Sequence, residues 1–309
     1  MSVCVTGHSN PDTDSVAAAI AFAHYLKATG TDAIACMQIE ADKLNPESTT
    51  VLKRFGLAAP QTMMDAAGKK VALVDFSDIG QAPANIKDAE IIAIIDHHKI
   101  GDITTNNPIV FNAQPVGCSC TVLYEMFKNN NVALPKDIAG AMLSAILSDT
   151  VNFKSPTCTA PDKAAVAALK DIAGVADTDA LFMEMLKAKS SIDGVPMKDL
   201  VFRDYKDFDM NGKKVGIGQL ELATLDQVAA IRADLYKALE DLKKDGRHSV
   251  LFMLTDVVKE GTDLLVVSDE PAVIEQAFGG KIAGNSMWID GMMSRKKQTV
   301  PPLQKAFGC

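Results

Sequence analysis

In the stretch GHSNPDTDS, Gly7 to Ser15, a histidine and two aspartates (His8, Asp12 and Asp14) crowd around a turn built on Asn10-Pro11. Asp75 closes the apolar run KVALVD. Asp96, His97 and His98 close the run IIAIID and open IDHHK, and Asp149 ends the pattern AMLSAILSD. Carboxylates gathered in one place repel one another, and ionising all of them without compensation pushes several pKa values up. Divalent cations remove that difficulty. Imidazole and carboxylate without thiolate suit borderline-to-hard ions such as Mn2+, Co2+ or Mg2+. Two ions match the count better than one, because Asp12, Asp14, Asp75 and Asp149 carry four negative charges. A polyanionic substrate then needs further cations, and the densest basic run is SRKKQ at 294–298. Arginine grips phosphate oxygens through two parallel N–H bonds, and lysine adds a compact charge.

Such groups meet only if the chain brings them to one edge. SVCVTG at 2–7 reads as a short strand, followed by a helix SVAAAIAFAHYLKATG with Asp14 and Ser15 as candidate N-caps and a stop at Gly30. DAIACMQI at 32–39 reads as a second strand. KVALVD and IIAIID are continuous apolar runs of the kind found in central parallel strands covered on both faces. PIVFNA at 108–113 reads as an edge strand, since Pro108 stands at its start. The helical patterns CTVLYEMFKNN, KDIAGAMLSAILSDT and APDKAAVAALKDIAG follow. The alternation predicts a doubly wound α/β domain, in which ligands bind at the carboxyl ends of the strands. The polar KAKSSIDGVPM at 187–197 reads as a linker. Beyond it KKVGIGQLEL, HSVLFMLTDVV and DLLVVS read as strands of a smaller α/β domain, with a charged helix around 224–245. The expected division is 1–187, a linker at 188–196, and 197–309.

A net charge of −8 argues against a general nucleic-acid binder. The six cysteines lack zinc-finger spacing and read as free thiols filling the core of a protein from a reducing cytoplasm. No signal peptide and no membrane span is expected. Taken singly, each chemical motif has an ordinary explanation: a capped turn, a strand-end acid, a structural histidine pair or a solvated basic run. Taken together they do not. Three of the five histidines stand at strand ends, while His24 and His248 read as structural.

With PVGCSCT at 115–121, SDT at 148–150 and KSPTCT at 154–159, these motifs occur in an order and spacing that resemble the family II inorganic pyrophosphatases of the DHH phosphoesterase superfamily. The resemblance covers nearly the whole chain. It implies an α/β protein of two domains: a larger N-terminal doubly wound parallel sheet and a smaller C-terminal domain with a mixed sheet, with the active site in the cleft between them. It implies one metal held by His8, Asp12 and Asp75, and a second held by Asp14, Asp75, His97 and Asp149, with Asp75 as the bridge. His98, Lys206, Arg295 and Lys296 would hold pyrophosphate, and His98, Asp75 and Asp14 would stand at the catalytic centre. The implied reaction splits pyrophosphate into two phosphates by in-line attack of a metal-bridged water or hydroxide. Mn2+ or Co2+ is expected at the tight sites, with Mg2+ able to substitute there and further Mg2+ arriving with substrate. A cytoplasmic homodimer associating through the larger domain is expected, with no nucleic-acid or membrane partner. One departure stands out: this chain has Phe76-Ser77-Asp78 where many members have His-Asn-Glu.

Two rival readings are weaker. An exopolyphosphatase or other DHH-type phosphoesterase would share the metal site, but nuclease-type relatives carry a glycine-rich motif ending in histidine, and FGGKIAG at 278–284 has none. A non-catalytic metal- or phosphate-binding protein would lack at least one ligand, and none is missing.

Overall fold

The computed structural model describes residues 2–309. The chain forms two compact units, one running to Lys189 and one starting at Ser190.

The first unit runs β1 (Val3–Thr6), α1 (Thr13–Ala28), β2 (Ala33–Met37), α2 (Pro46–Phe55), β3 (Gln61–Thr62), β4 (Lys70–Val74), β5 (Glu90–Asp96), β6 (Val110–Ala113), α3 (Ser119–Asn129), α4 (Lys136–Asp149), α5 (Ala160–Ala173) and α6 (Thr178–Lys189). Its six strands are ordered β3-β2-β1-β4-β5-β6 and all pairs are parallel. The chain winds outward from β1 to β3, then returns to lay β4 on the other side of β1. That reversal opens a crevice at the carboxyl ends of β1 and β4. β1 and residues 71–74 of β4 are buried throughout, as expected of strands covered on both faces. One face carries the larger core, where Val5, Phe22, Val74, Ile95, Leu123, Met142 and Ile146 pack together. The other carries a smaller cluster around Leu73, Phe76, Ile86 and Ile94.

Several boundaries differ from expectation. The N-cap of α1 is Asp12, whose Oδ1 accepts the backbone N–H of Ser15 at 2.9 Å; Asp14 and Ser15 lie within the first turn. α2 and α6 were not expected. α2 is amphipathic, but the face it buries is half polar (Glu47 and Ser48 beside Val51 and Leu52), and its clearest signal lies in its ends: Asn45 caps it, Pro46 opens it and Gly56 closes it at φ 68°. The two-residue β3 is too short to leave a pattern. α6 continues through Lys189, so the first residues of the expected linker are helical.

The second unit runs α7 (Met197–Phe202), β7 (Tyr205–Met210), β8 (Lys213–Leu222), α8 (Arg232–Lys244), β9 (Ser249–Asp256), β10 (Gly261–Ser268), α9 (Pro271–Phe278), β11 (Ser286–Asp290) and α10 (Val300–Phe307). Its sheet is mixed: β8 and β9 are parallel, and β7, β10 and β11 join antiparallel in the order β11-β10-β9-β8-β7. The charged helix is shorter than expected, because Thr224 and Gln227 form a capping box on a separate short turn at Leu225–Val228. SRKKQ forms a wide helical turn, Arg295–Thr299, that leads into α10. Among the described residues no helix is long and apolar enough to cross a membrane.

Candidate metal centre

Each acid reaches the crevice by a local device. Gln38, after β2, donates its amide to the carbonyls of Gly7 and Gln81 at 2.8 and 2.9 Å, tying down the loop after β1. Gly7 is required there: a Cβ would stand 2.5 Å from that of Ser15. The Thr13 hydroxyl donates to Glu47 Oε1 at 2.7 Å, and the Ser148 hydroxyl donates to the same oxygen at 2.5 Å. Buried Glu47 on α2 thus joins the residues preceding Asp14 and Asp149. Asp75 follows β4 with φ 67°, a left-handed backbone that turns its carboxylate out of the strand's alternation. Asp96 ends β5, and its Oδ1 accepts the backbone N–H groups of His97 and His98 and faces His98 Nδ1 at 3.0 Å. Past Asp149, Val151, Asn152 and Phe153 run consecutively left-handed, at φ 48°, 49° and 69°.

Three sets of side chains converge. His8, Asp12 and Asp75 each offer a ligand atom within 4.8 Å of the others; so do Asp14, His97 and Asp149, and so do Asp75, His97 and His98. Asp75 belongs to two of these sets through different oxygens. Its Oδ2 faces His8 Nε2 at 3.4 Å, and its Oδ1 faces His97 Nε2 at 3.4 Å. His97 Nδ1 lies 3.0 Å from the Val116 carbonyl. A donor proton there leaves Nε2 as the free lone pair, the usual arrangement of a metal-binding imidazole.

The electrostatics suit cations. Withdrawal from water, followed by the charge of Asp75, pushes Asp14 up to about 7. The same burial, with Asp14, Asp12 and Asp75 as neighbours, raises Asp149 well above the usual carboxylate range. Burial alone would raise Asp75 too, but His8 and His97 outweigh it and hold that carboxyl far below the ordinary value. The histidines respond in kind. Against burial, which would lower them, hydrogen bonds and charges from Asp12 and Asp75 raise His8 to about 10, and Asp75 with Asp14 raises His97 to about 9. Without ions the site therefore borrows protons to balance its carboxylates. The donor set of oxygen and imidazole nitrogen fits Mn2+ or a similar ion.

Some residues around the site were not foreseen. Cys118 and Cys120, expected to be plain core filler, form a further close set with Asp14. Burial pushes both thiols up, so both stay protonated beside Asp14. Ser15 and Ser119 bond Asp75. The only signal for Cys118, Ser119 and Cys120 lay in PVGCSCT, a motif without obvious chemistry of its own, and Ser15 closes GHSNPDTDS. Phe76-Ser77-Asp78 is accounted for by packing. Phe76 is buried in the smaller core, and Ser77 takes the Gly101 N–H at 2.9 Å and gives its carbonyl to the Ile103 N–H at 3.1 Å, fastening the loop that follows His97-His98.

In the second unit, Lys206 on β7 and Lys296 are exposed. Arg295 is not: it is 4% exposed, and its guanidinium bonds the Asp204 carboxylate at 2.6 Å and the Asp204 carbonyl.

The chain matches the DHH family, N-terminal domain, over residues 2–146 and the DHHA2 domain over 183–306. It is 50% identical to a probable manganese-dependent inorganic pyrophosphatase of Archaeoglobus fulgidus, with 99% of this chain and 98% of the relative aligned. It is 47% identical to the manganese-dependent inorganic pyrophosphatase of Methanothrix thermoacetophila, over 99% and 98%. Among solved structures it resembles a family II inorganic pyrophosphatase of Methanococcus jannaschii with a TM-score of 0.62 and 41% identity, covering 99% of both chains.

Proposed function

Since the chain belongs to the family II, manganese-dependent inorganic pyrophosphatases of the DHH family, we infer that its reaction is the hydrolysis of pyrophosphate to two phosphates at the crevice of the first unit. The observation that carries the assignment of the site is Asp75, one carboxylate whose two oxygens face two different histidines. His8 and Asp12 with Asp75 would hold one ion. Asp14, His97 and Asp149 with Asp75 would hold the other. When bound, the ions supply an activated water and neutralise phosphate charge.

The protein's own groups do the rest. Asp96 fixes His98 through Nδ1, so that its ring points toward the crevice as a ligand for substrate oxygen. The hydrogen bond to Asp96 raises His98, which keeps a proton available to a phosphate oxygen. Lys206, Arg295 and Lys296 carry the remaining charge of the pyrophosphate, by positioning and electrostatics rather than by covalent chemistry. For Arg295 this requires release of Asp204, whose carboxylate occupies the fork that phosphate oxygens would take.

Co2+ or Mg2+ in place of Mn2+, a further Mg2+ entering with substrate, a cytoplasmic setting without nucleic-acid or membrane partners, and a homodimer formed through the first unit belong to the same reading. β6 supports the last: it is an edge strand paired on one side only to β5, with Val110 57% and Phe111 44% exposed. The division 1–187, 188–196 and 197–309 remains our proposal for the functional domains.

The test is phosphate release after chelation and re-addition of Mn2+, with pyrophosphate, tripolyphosphate and a dinucleotide in parallel. Fast ion-dependent release from pyrophosphate alone is expected. Preference for tripolyphosphate would keep the metal site and overturn the substrate.

A further inference from the structure

We propose that Ser119 is a positioning residue that sets the two ion sites against each other. It is the first residue of α3 and is fully buried. Its backbone N–H donates to Asp14 Oδ2 at 2.6 Å, and its hydroxyl donates to Asp75 Oδ1 at 3.1 Å. One residue thus grips an acid proposed for the second ion and the acid proposed to bridge both. The neighbouring N–H of Cys120 takes the other oxygen of Asp14 at 3.0 Å, and Ser15 gives its hydroxyl to Asp75 Oδ2 at 2.8 Å.

The grip has a mechanical purpose. A bridging carboxylate must keep its plane fixed, with one oxygen toward each ion. Asp75 sits on a left-handed backbone at the end of β4, where the strand no longer dictates the side chain's direction. Two hydroxyls from two helices, one per oxygen, supply that direction. Because the same turn of α3 holds Asp14, the hydroxyl of Ser119 also fixes how far Asp75 Oδ1 stands from the ion that Asp14 and His97 would share. Partners of this kind orient ligands, and their loss typically costs about 10- to 100-fold in metal affinity.

The inference rests on the two-ion reading above, and the experiment separates the two. Mn2+ binding to ion-free full-length protein is followed by calorimetry and by the electron paramagnetic resonance signal of coupled Mn2+ pairs. The parent is expected to take two ions; a parent that takes fewer sinks the two-ion reading itself. Given two, Ser119→Ala is expected to bind one ion nearly as the parent does and the other about 10-fold or more weaker, with the coupled signal diminished. Its ion-free melting temperature should stay close to the parent's. Ser119→Thr, which restores the hydroxyl, is expected to restore both readouts. Parent-like binding by Ser119→Ala overturns the proposal, and so does a Ser119→Thr variant no better than Ser119→Ala. If Ser119→Ala melts much earlier than the parent, Ser119→Cys replaces it. Affinity between those of parent and Ala then supports the role, and parent-like affinity overturns it.

Discussion

Asp75 is the residue on which the most depends. Asp75→Ala removes a ligand from both proposed ions at once, so metal content and turnover should fall together, by more than about 100-fold in affinity; metal analysis of the purified variant decides it. Protons offer a second reading of the same residues. In the ion-free protein His8 and His97 keep protons to about 10 and about 9, against an ordinary 6.5. The stability they add is complete below about 6.5 and disappears as pH rises through 9 to 10. Asp14, held protonated to about 7 instead of 3.8, takes stability away as pH rises between those values. Asp75 acts oppositely, and its contribution is lost only in acid. The ion-free melting temperature should therefore decline from pH 6 to pH 10. Mn2+ binding at pH 8 should expel about two protons, measurable by calorimetry in buffers of different ionisation enthalpy; binding with no proton release would contradict the assignment of His8 and His97. The seven residues of this cluster could be read from the chain because each ends a strand or a helix, or borders a turn, where acids and histidines are conspicuous. Ser15, Ser119, Cys118 and Glu47 could not. A serine hydroxyl or a buried glutamate announces no chemistry until its partner is known, and the partners of these serines and of Glu47 lie between 34 and 105 residues away.

At the scale of elements, the strands that deliver the site were legible from continuous apolar runs, and the doubly wound class from their alternation with helices. α2 was not, since the face it buries is half polar, with Glu47 and Ser48 beside Val51 and Leu52. Yet it carries Glu47 and, through Asn45, a bond to the Pro11 carbonyl at 2.9 Å. The approach of the first loop to α1 is similarly unforgiving. Gly7→Ala should cost about 1–3 kcal/mol by overpacking and should weaken metal binding through the displaced turn; chemical denaturation and metal titration measure the two effects. A comparable joint lies at the start of α5, where buried Asp162 accepts from the Gly117 N–H, the Thr121 hydroxyl, and the Thr159 N–H and hydroxyl. Asp162→Ala should destabilise the protein by roughly 2–4 kcal/mol, from a lost cap and stranded donors, visible as a lower midpoint in urea. The left-handed run after Asp149 offers the opposite sign. Val151 is β-branched at φ 48° and partly exposed. Val151→Gly should gain about 1 kcal/mol, and a variant less stable than the parent would show that its side chain is holding the turn.

Across the whole molecule, the two units differ in how openly the sequence declared them. The mixed second sheet was visible in four of its five strands, MWIDG before the basic run being strand-like as well. β7 stayed hidden because the consecutive exposed residues Lys206 and Asp207 break the alternation that marks a strand, and the inward fold of Arg295 was hidden because a basic run by itself reads as surface. The edge strand β6 bears on assembly: Phe111→Asp should shift the protein from two copies to one in sedimentation velocity while leaving Mn2+ binding intact. A parent that sediments as a monomer would remove the dimer from the reading. His8, Asp12, Asp14, Asp75, His97 and Asp149, with the serines that hold Asp75, all precede Lys189, and the core around them is built from that first unit alone. During synthesis every proposed metal ligand is translated before Lys206, Arg295 and Lys296. Folding of the first unit alone would thus give the ions their ligands, and His98 its place beside them, before the second unit's basic side chains are available.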